Sequence, residues 1–184
     1  QLEDAKLSLS KAIEINPRFT KSYLILGYIY RDLGCLINAK NVLTVALNYN
    51  PNFGEVYLAL GIVYLELSRI QDSESMLINA LKIIPNKIEI YITLAGVYTA
   101  SGKFKKAIKT YQQALEISSD NLQTIYALLK AYSMICDWNQ ILYLSPYQQR
   151  VIAKYDPISI LNLEDNLLLE FKRVSLFYIK NIKS

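Results

Sequence analysis

Apolar side chains recur along this chain three and four positions apart, the spacing of one face of an α-helix. Tyr23, Leu26, Gly27 and Tyr30 stand at i, i+3, i+4 and i+7. The arrangement returns as Tyr57, Leu60, Gly61 and Tyr64, and again as Tyr91, Leu94, Ala95 and Tyr98. Each block is followed by a second one: Ala39, Leu43, Ala46, then Ser73, Leu77, Ala80, then Ala107, Tyr111, Ala114. The two blocks alternate with a constant period of 34 residues, and Pro17, Pro51 and Pro85 keep step with them. A fixed period of this length marks a repeat array, each unit being one supersecondary element that cannot bury its apolar face alone. Two helices per unit are predicted, and the fold class is all-α.

In this frame the complete units are 20–53, 54–87 and 88–121. Residues 1–19 read as the second helix of a unit whose first is missing, with Ala5, Leu9 and Ala12 on its inner face; this suggests a piece excised from something longer. Gly34 stands where a left-handed helix cap is wanted. Asn50 precedes Pro51, and a residue before proline is pushed out of the α region, so the second helix must stop there. Gly27, Gly61 and Ala95 are expected to let the paired helix approach closely, opposite Ala39, Ser73 and Ala107; a larger side chain at Gly61 or Ala80 should overpack that contact. A partial unit, 122–135, keeps the frame through Ile125, Leu128 and Tyr132. The pattern breaks at Cys136-Asp137-Trp138, and residues 136–184 read as a C-terminal helical extension. Ser145-Pro146 reads as a helix start and Asp156-Pro157 as a turn. A last amphipathic helix over 164–182 carries Leu167, Leu168, Phe171, Val174 and Tyr178 on one side.

Composition narrows the chemistry. With 184 residues, 52% apolar and 20% charged, the chain is expected to fold as a soluble protein. Its net charge of +4 is mild and its charges are interspersed. Nucleic-acid binding normally needs a concentrated basic stripe, so nucleic acid is not an expected partner. No apolar run reaches the length of a membrane span. The chain has no histidine and only two cysteines, Cys35 and Cys136. The commonest metal ligand and the best acid–base group at neutral pH are therefore missing, and neither a metal site nor a cofactor is expected. A solenoid repeat touches only its neighbours, so a disulfide between these distant cysteines is implausible. Two unpaired thiols favour a reducing cytoplasm. No pair of carboxylates or thiol with a basic neighbour forms a catalytic constellation, and the chain is not expected to be an enzyme; Glu164 and Asp165 read as residues favoured at a helix start.

The 34-residue pattern of Tyr, Leu, Gly/Ala and Tyr followed by Ala, Leu/Tyr and Ala resembles the tetratricopeptide repeat, over about two thirds of the chain. The resemblance implies antiparallel helix pairs stacked into a right-handed superhelical solenoid, with first helices lining a concave surface. It also implies that ligand contacts come from the second, fifth, sixth, ninth, twelfth and thirteenth positions of those helices. Carried onto this chain, the partner-binding groove comprises Leu24, Tyr28, Arg31, Leu58, Ile62, Leu65, Ile92 and Tyr126, with Ile25, Ala59, Thr93, Gly96, Ala127 and Lys130 also on mapped positions. The lysines and asparagines of a carboxylate clamp and the asparagines of a backbone-gripping ladder are absent from these positions. An apolar groove with a rim of Lys21, Arg31, Asp32, Glu55 and Glu66 remains.

Cys136-Asp137-Trp138, with Asn162-Leu163-Glu164-Asp165-Asn166 beyond it, resembles the linker between repeats and catalytic domain in bacterial proteins of the Spindly type, relatives of the O-linked N-acetylglucosamine transferases. That resemblance implies a substrate-recruiting region, with the catalytic residues outside this chain. The leading expectation is a protein–protein interaction module that takes a protein or peptide segment in the groove. The alternative is the recruiting region of a protein O-glycosyltransferase, and RNA binding by a helical repeat ranks third. Self-association through the open end of the solenoid is a further mode of contact. Leu58→Asp and Ile62→Asp should abolish partner capture while leaving the melting temperature unchanged.

Overall fold

The computed structural model describes residues 2–135. The expectations for residues 136–184, including the Cys136-Asp137-Trp138 break and the helix over 164–182, lie outside the described residues. Eight α-helices and no strand are found among those described: α1 Leu2–Ile15, α2 Thr20–Asp32, α3 Leu36–Tyr49, α4 Gly54–Glu66, α5 Ile70–Ile83, α6 Ile88–Ala100, α7 Phe104–Ile117 and α8 Leu122–Met134. The chain divides into two compact units, Gln1–Gly102 and Lys103–Ser184, and the division falls between α6 and α7.

In the first unit α2 pairs with α3 and α4 with α5, and each second helix also packs on the first helix of the next pair. One core cluster joins Tyr23 of α2, Ala39, Leu43 and Ala46 of α3, and Val56, Leu60 and Val63 of α4. The next joins Leu58 of α4, Leu77 and Ala80 of α5, and Ile90, Leu94 and Val97 of α6. Burial of a whole Leu or Val side chain contributes about 1.5–3 kcal/mol, so these alternating clusters, not helix propensity, hold the array together. In the second unit α7 packs on α8, where Gln112 Nε2 donates to the Tyr132 hydroxyl at 3.0 Å. The side-chain oxygen of Asn121 caps α8 by accepting from the Thr124 N–H at 2.8 Å.

The close approach expected at the small residues occurs, and a leucine of the paired helix closes on each glycine. A Cβ on Gly27 would lie 2.6 Å from Leu43, and one on Gly61 would lie 2.6 Å from Leu77. Leu43 and Leu77 thus fill the space that a side chain would take at the two glycines. Ser73, placed opposite Gly61 by the frame, meets it through a hydrogen bond. Its hydroxyl donates to the Gly61 carbonyl at 2.6 Å, which satisfies a side chain that is wholly buried.

The first helices α2, α4 and α6 end in left-handed caps. After α2 the Gly34 N–H donates to the Arg31 carbonyl and the Cys35 N–H to the Tyr30 carbonyl, both at 2.8 Å, with Gly34 at φ +74°. The same two bonds recur after α4, from Ser68 to Leu65 and from Arg69 to Tyr64, but Ser68 occupies the left-handed position at φ +59°. A side chain in that region costs roughly 1–2 kcal/mol. Ser68→Gly is therefore expected to stabilise the chain by about 1 kcal/mol, seen as a higher denaturation midpoint in urea.

Candidate partner-binding groove

The first helices α2, α4 and α6 lie side by side, α2 touching α4 and α4 touching α6, whereas α3 and α5 make no contact of comparable extent. First helices therefore form the inner wall of the first unit, and the groove is read from their mapped positions.

On α2, Leu24, Tyr28 and Arg31 are half-buried, and Ile25 is 49% exposed. Leu24 and Tyr28 rest against the first core cluster. The Arg31 guanidinium lies 5.4 Å from the centre of the Tyr28 ring and pairs with Asp32 at 2.7 Å. On α4, Ile62 and Leu65 are half-buried against the second cluster. On α6, Ile92 and Thr93 are half-buried, and the space where a Gly96 side chain would stand is open. Tyr126 is half-buried on α8, in the second unit.

Leu58 is a correction. It is 2% exposed and packs among Leu77, Ala80, Ile90, Leu94 and Val97, so it is a core residue and not a groove contact. Ala59, at the next mapped position, is also buried. The cause is position in the array: α4 has a first helix on both flanks, whereas Leu24 sits on a helix that meets another first helix on one flank only.

Tyr28 feels charges from other elements that the sequence reading only half supplied. Burial raises the Tyr28 pKa above its ordinary value of 10.0; Lys87 and Arg31 act against that rise, while Glu89 and Glu55 add to it. Lys87 and Glu89 are themselves paired at 3.3 Å. Glu89 was reachable from the frame, since it stands 34 residues after Glu55 and 68 after Lys21. Lys87 stands at the end of its unit and carried no signal. Charge is also less evenly spread than composition suggests, since Lys103, Lys105, Lys106 and Lys109 are exposed at the start of α7, whose first turn has no acidic residue.

The remaining tyrosines at repeat positions are structural. Tyr23, Tyr111 and Tyr132 are buried, and Tyr23 lies 5.9 Å from Tyr49, ring centre to ring centre. Burial raises the pKa of Tyr23, Tyr98 and Tyr126 as well, with Tyr49 adding to the effect at Tyr23 and Glu74 at Tyr98. A folded-state pKa above the unfolded value contributes stability that is complete below that unfolded value and is lost as pH rises through the folded one. The melting temperature should therefore hold flat to about pH 9 and fall beyond pH 10. Tyr23→Phe should flatten that fall, which a series of melts from about pH 7 to 11.5 would measure.

No group of residues suited to hold a metal ion occurs among the described residues, and no described helix is long and apolar enough to cross a membrane. Residues 20–53 and 52–120 each match a family model of the tetratricopeptide repeat, together more than half of the chain. The chain belongs to the tetratricopeptide repeat family. No curated protein matches it. Among solved structures, this tetratricopeptide chain is similar to the crystal structure of MamA, at 20% identity over 86% of this chain and 91% of that one, with a TM-score of 0.75. It is similar also to MamA 41-end from Desulfovibrio magneticus RS-1, at 17% identity, 84% and 88% coverage and a TM-score of 0.75. The first tetratricopeptide domain of Spaghetti (RPAP3), solved bound to the HSP90 peptide SRMEEVD, matches at 19% identity, 64% and 93% coverage and a TM-score of 0.62. Identities this low establish the fold alone, an all-α solenoid of tetratricopeptide helix pairs.

Proposed function

We propose that this chain is a protein–protein interaction module that holds an apolar protein or peptide segment against the inner wall of α2, α4 and α6. One observation carries the reading: Ile25 is 49% exposed beside the half-buried Leu24 and Tyr28, with Ile62, Leu65 and Ile92 on the neighbouring first helices. Apolar side chains left partly exposed on one wall are what an apolar segment would bury on binding. Affinity comes from burying these side chains, and selectivity from Arg31, Glu55, Lys87 and Glu89 around Tyr28. The RPAP3 relative was solved with a peptide ending in Glu-Glu-Val-Asp. Such a tail is not proposed, because Leu24, Ile62 and Ile92 are apolar and the cations Arg31 and Lys87 are already paired with Asp32 and Glu89. We retain residues 1–135 as the repeat array and 136–184 as its extension, and no catalytic role for the chain. The exposed free thiol of Cys35 suits the reducing cytoplasm inferred from the cysteine usage.

The test is a peptide selection on the immobilised chain. Apolar peptides without an acidic C-terminal tail should be enriched, and Ile25→Asp and Ile62→Asp should each weaken their binding at least 10-fold, with circular dichroism showing helicity retained. Enrichment of acidic tails, or binding indifferent to both substitutions, would overturn the groove. Recruitment for a protein O-glycosyltransferase rests only on the resemblance over residues 136–166, outside the described residues, and neither MamA nor RPAP3 supports it. A strand-rich catalytic sequence following Ser184 in a parent protein would be needed to carry it.

A further inference from the structure

We propose that the recess over Gly96 on α6 is the anchor point of the groove, a place that takes one aromatic side chain of the bound segment. The inference rests on reading the wall of α2, α4 and α6 as the binding surface, and it names what that surface selects.

The chain has six glycines, and five of them have a reason visible in the fold. Gly34 and Gly102 hold left-handed caps at φ +74° and +71°. Gly27, Gly54 and Gly61 lie in helices where a Cβ would stand 2.6, 2.8 and 2.6 Å from Leu43, Ile84 and Leu77. Gly96 has neither reason. Its backbone is ordinary helix, and nothing lies within 4 Å of the place its Cβ would take. Glycine inside a helix is less stable than alanine, so a stabilising methyl group is left out with no internal contact to demand it. Room that the chain's own packing does not need is room for a group that approaches the backbone from outside.

The frame gives the size of the missing group. Gly96 stands at the position of Tyr28 on α2 and Ile62 on α4, so the wall steps from a phenol ring to a branched alkyl chain to no side chain. Gly96 is half-buried, which makes the gap a recess between side chains and not part of a projecting edge. Ile92 and Thr93 lie one turn before it on α6 and Thr99 one turn after, all half-buried. The Thr93 hydroxyl donates to the Glu89 carbonyl at 2.7 Å and the Thr99 hydroxyl to the Ala95 carbonyl at 2.9 Å. Both donors are thus used within the helix, and residues 92–100 carry no charge. A large apolar side chain suits such surroundings, and a flat ring can lie against the bare backbone of α6 as well as against Ile92. Glu89, paired with Lys87, lies two turns away toward the helix start, so charge and anchor occupy different parts of the wall.

The probe is N-acetyl-tryptophanamide, titrated into the isotopically labelled 184-residue chain and followed through the backbone amide signals of α6 by NMR. Saturable shifts are expected at Gly96 and its neighbours, while N-acetyl-alaninamide at the same concentrations produces none. Gly96→Leu fills the recess and should weaken the probe at least about 10-fold. Gly96→Ala should weaken it less while raising the urea midpoint, a pair of opposite effects that a purely structural glycine would not give. Ile25→Asp, on α2, should leave the probe unaffected. No saturable shift at Gly96, or binding that Gly96→Leu does not weaken, would overturn the anchor and leave the wall to be judged by Ile25→Asp and Ile62→Asp in the peptide selection. Shifts at Gly96 that Gly96→Leu abolishes, with selected peptides indifferent to Ile25→Asp and Ile62→Asp, would keep the aromatic site and remove the groove around it.

Discussion

Leu58→Asp is expected to unfold the chain, or to lower its stability by more than about 4 kcal/mol, a loss found only for a few severe mechanisms. Two of them coincide here. Removing a buried leucine side chain costs about 2–5 kcal/mol through lost burial and the cavity left behind. A carboxylate in its place is surrounded by Leu77, Ala80, Ile90, Leu94 and Val97, none of which can donate a hydrogen bond from its side chain to an ionised oxygen. The comparison is Ile25→Asp, at a position 49% exposed, where the new charge stays in water and the melting temperature should shift by only a few degrees. Thermal melts of the two variants side by side check this. Equal stability of the two would mean that Leu58 is not part of the core that joins α4, α5 and α6.

The second large effect is a pair of opposite signs at two helical glycines. Gly61→Ala should destabilise by roughly 1–3 kcal/mol although alanine is the better helix former. Its methyl group would stand 2.6 Å from Leu77 Cγ, and Leu77 is wholly buried with no room to retreat. Gly96→Ala places the same methyl group where nothing lies within 4 Å. Only the gain in helix propensity then remains, and stability should rise by about 0.5–1 kcal/mol. Urea denaturation of both variants separates the two cases. If both stabilise, the α4–α5 contact is looser than the geometry requires. If both destabilise, the Gly96 side of α6 is covered.

The two glycines also show how sequence and structure divide the information. Gly61 was readable as a close contact because the frame repeats Gly27 and Ala95 around it, and a small residue kept at one repeat position has a packing reason. That Leu77 also closes on Gly61, filling the place of its missing side chain, was not readable. A period of 34 gives the face of each helix but not the small axial offset between two paired helices. Ser73, a departure from the alanine expected at its position, becomes intelligible only with the Gly61 carbonyl 2.6 Å away. Ser68 stands in the frame midway between Gly34 and Gly102, but as a serine it gave no sign that its backbone is left-handed, which the two cap bonds closed around it show.

The candidate groove divides in the same way. Leu24, Tyr28, Ile62, Leu65 and Ile92 could be assigned to first helices from the frame, and they sit there half-buried. Leu58 occupies an equivalent place in the frame and is core. Tyr28 and Arg31 were in the frame too, but the electrostatic influence of Glu55, Lys87 and Glu89 on Tyr28 joins residues far apart in the chain.

Periodicity is a local property, so the sequence by itself determined the family, the helices and the apolar face that each one buries. Exposure is not local. A repeat writes the same residues into every unit, but the first helix α4 has neighbours on both flanks, and α1 has no paired first helix among the described residues. Only the tertiary structure could therefore decide that Leu58 is enclosed while Leu24 is only half-buried.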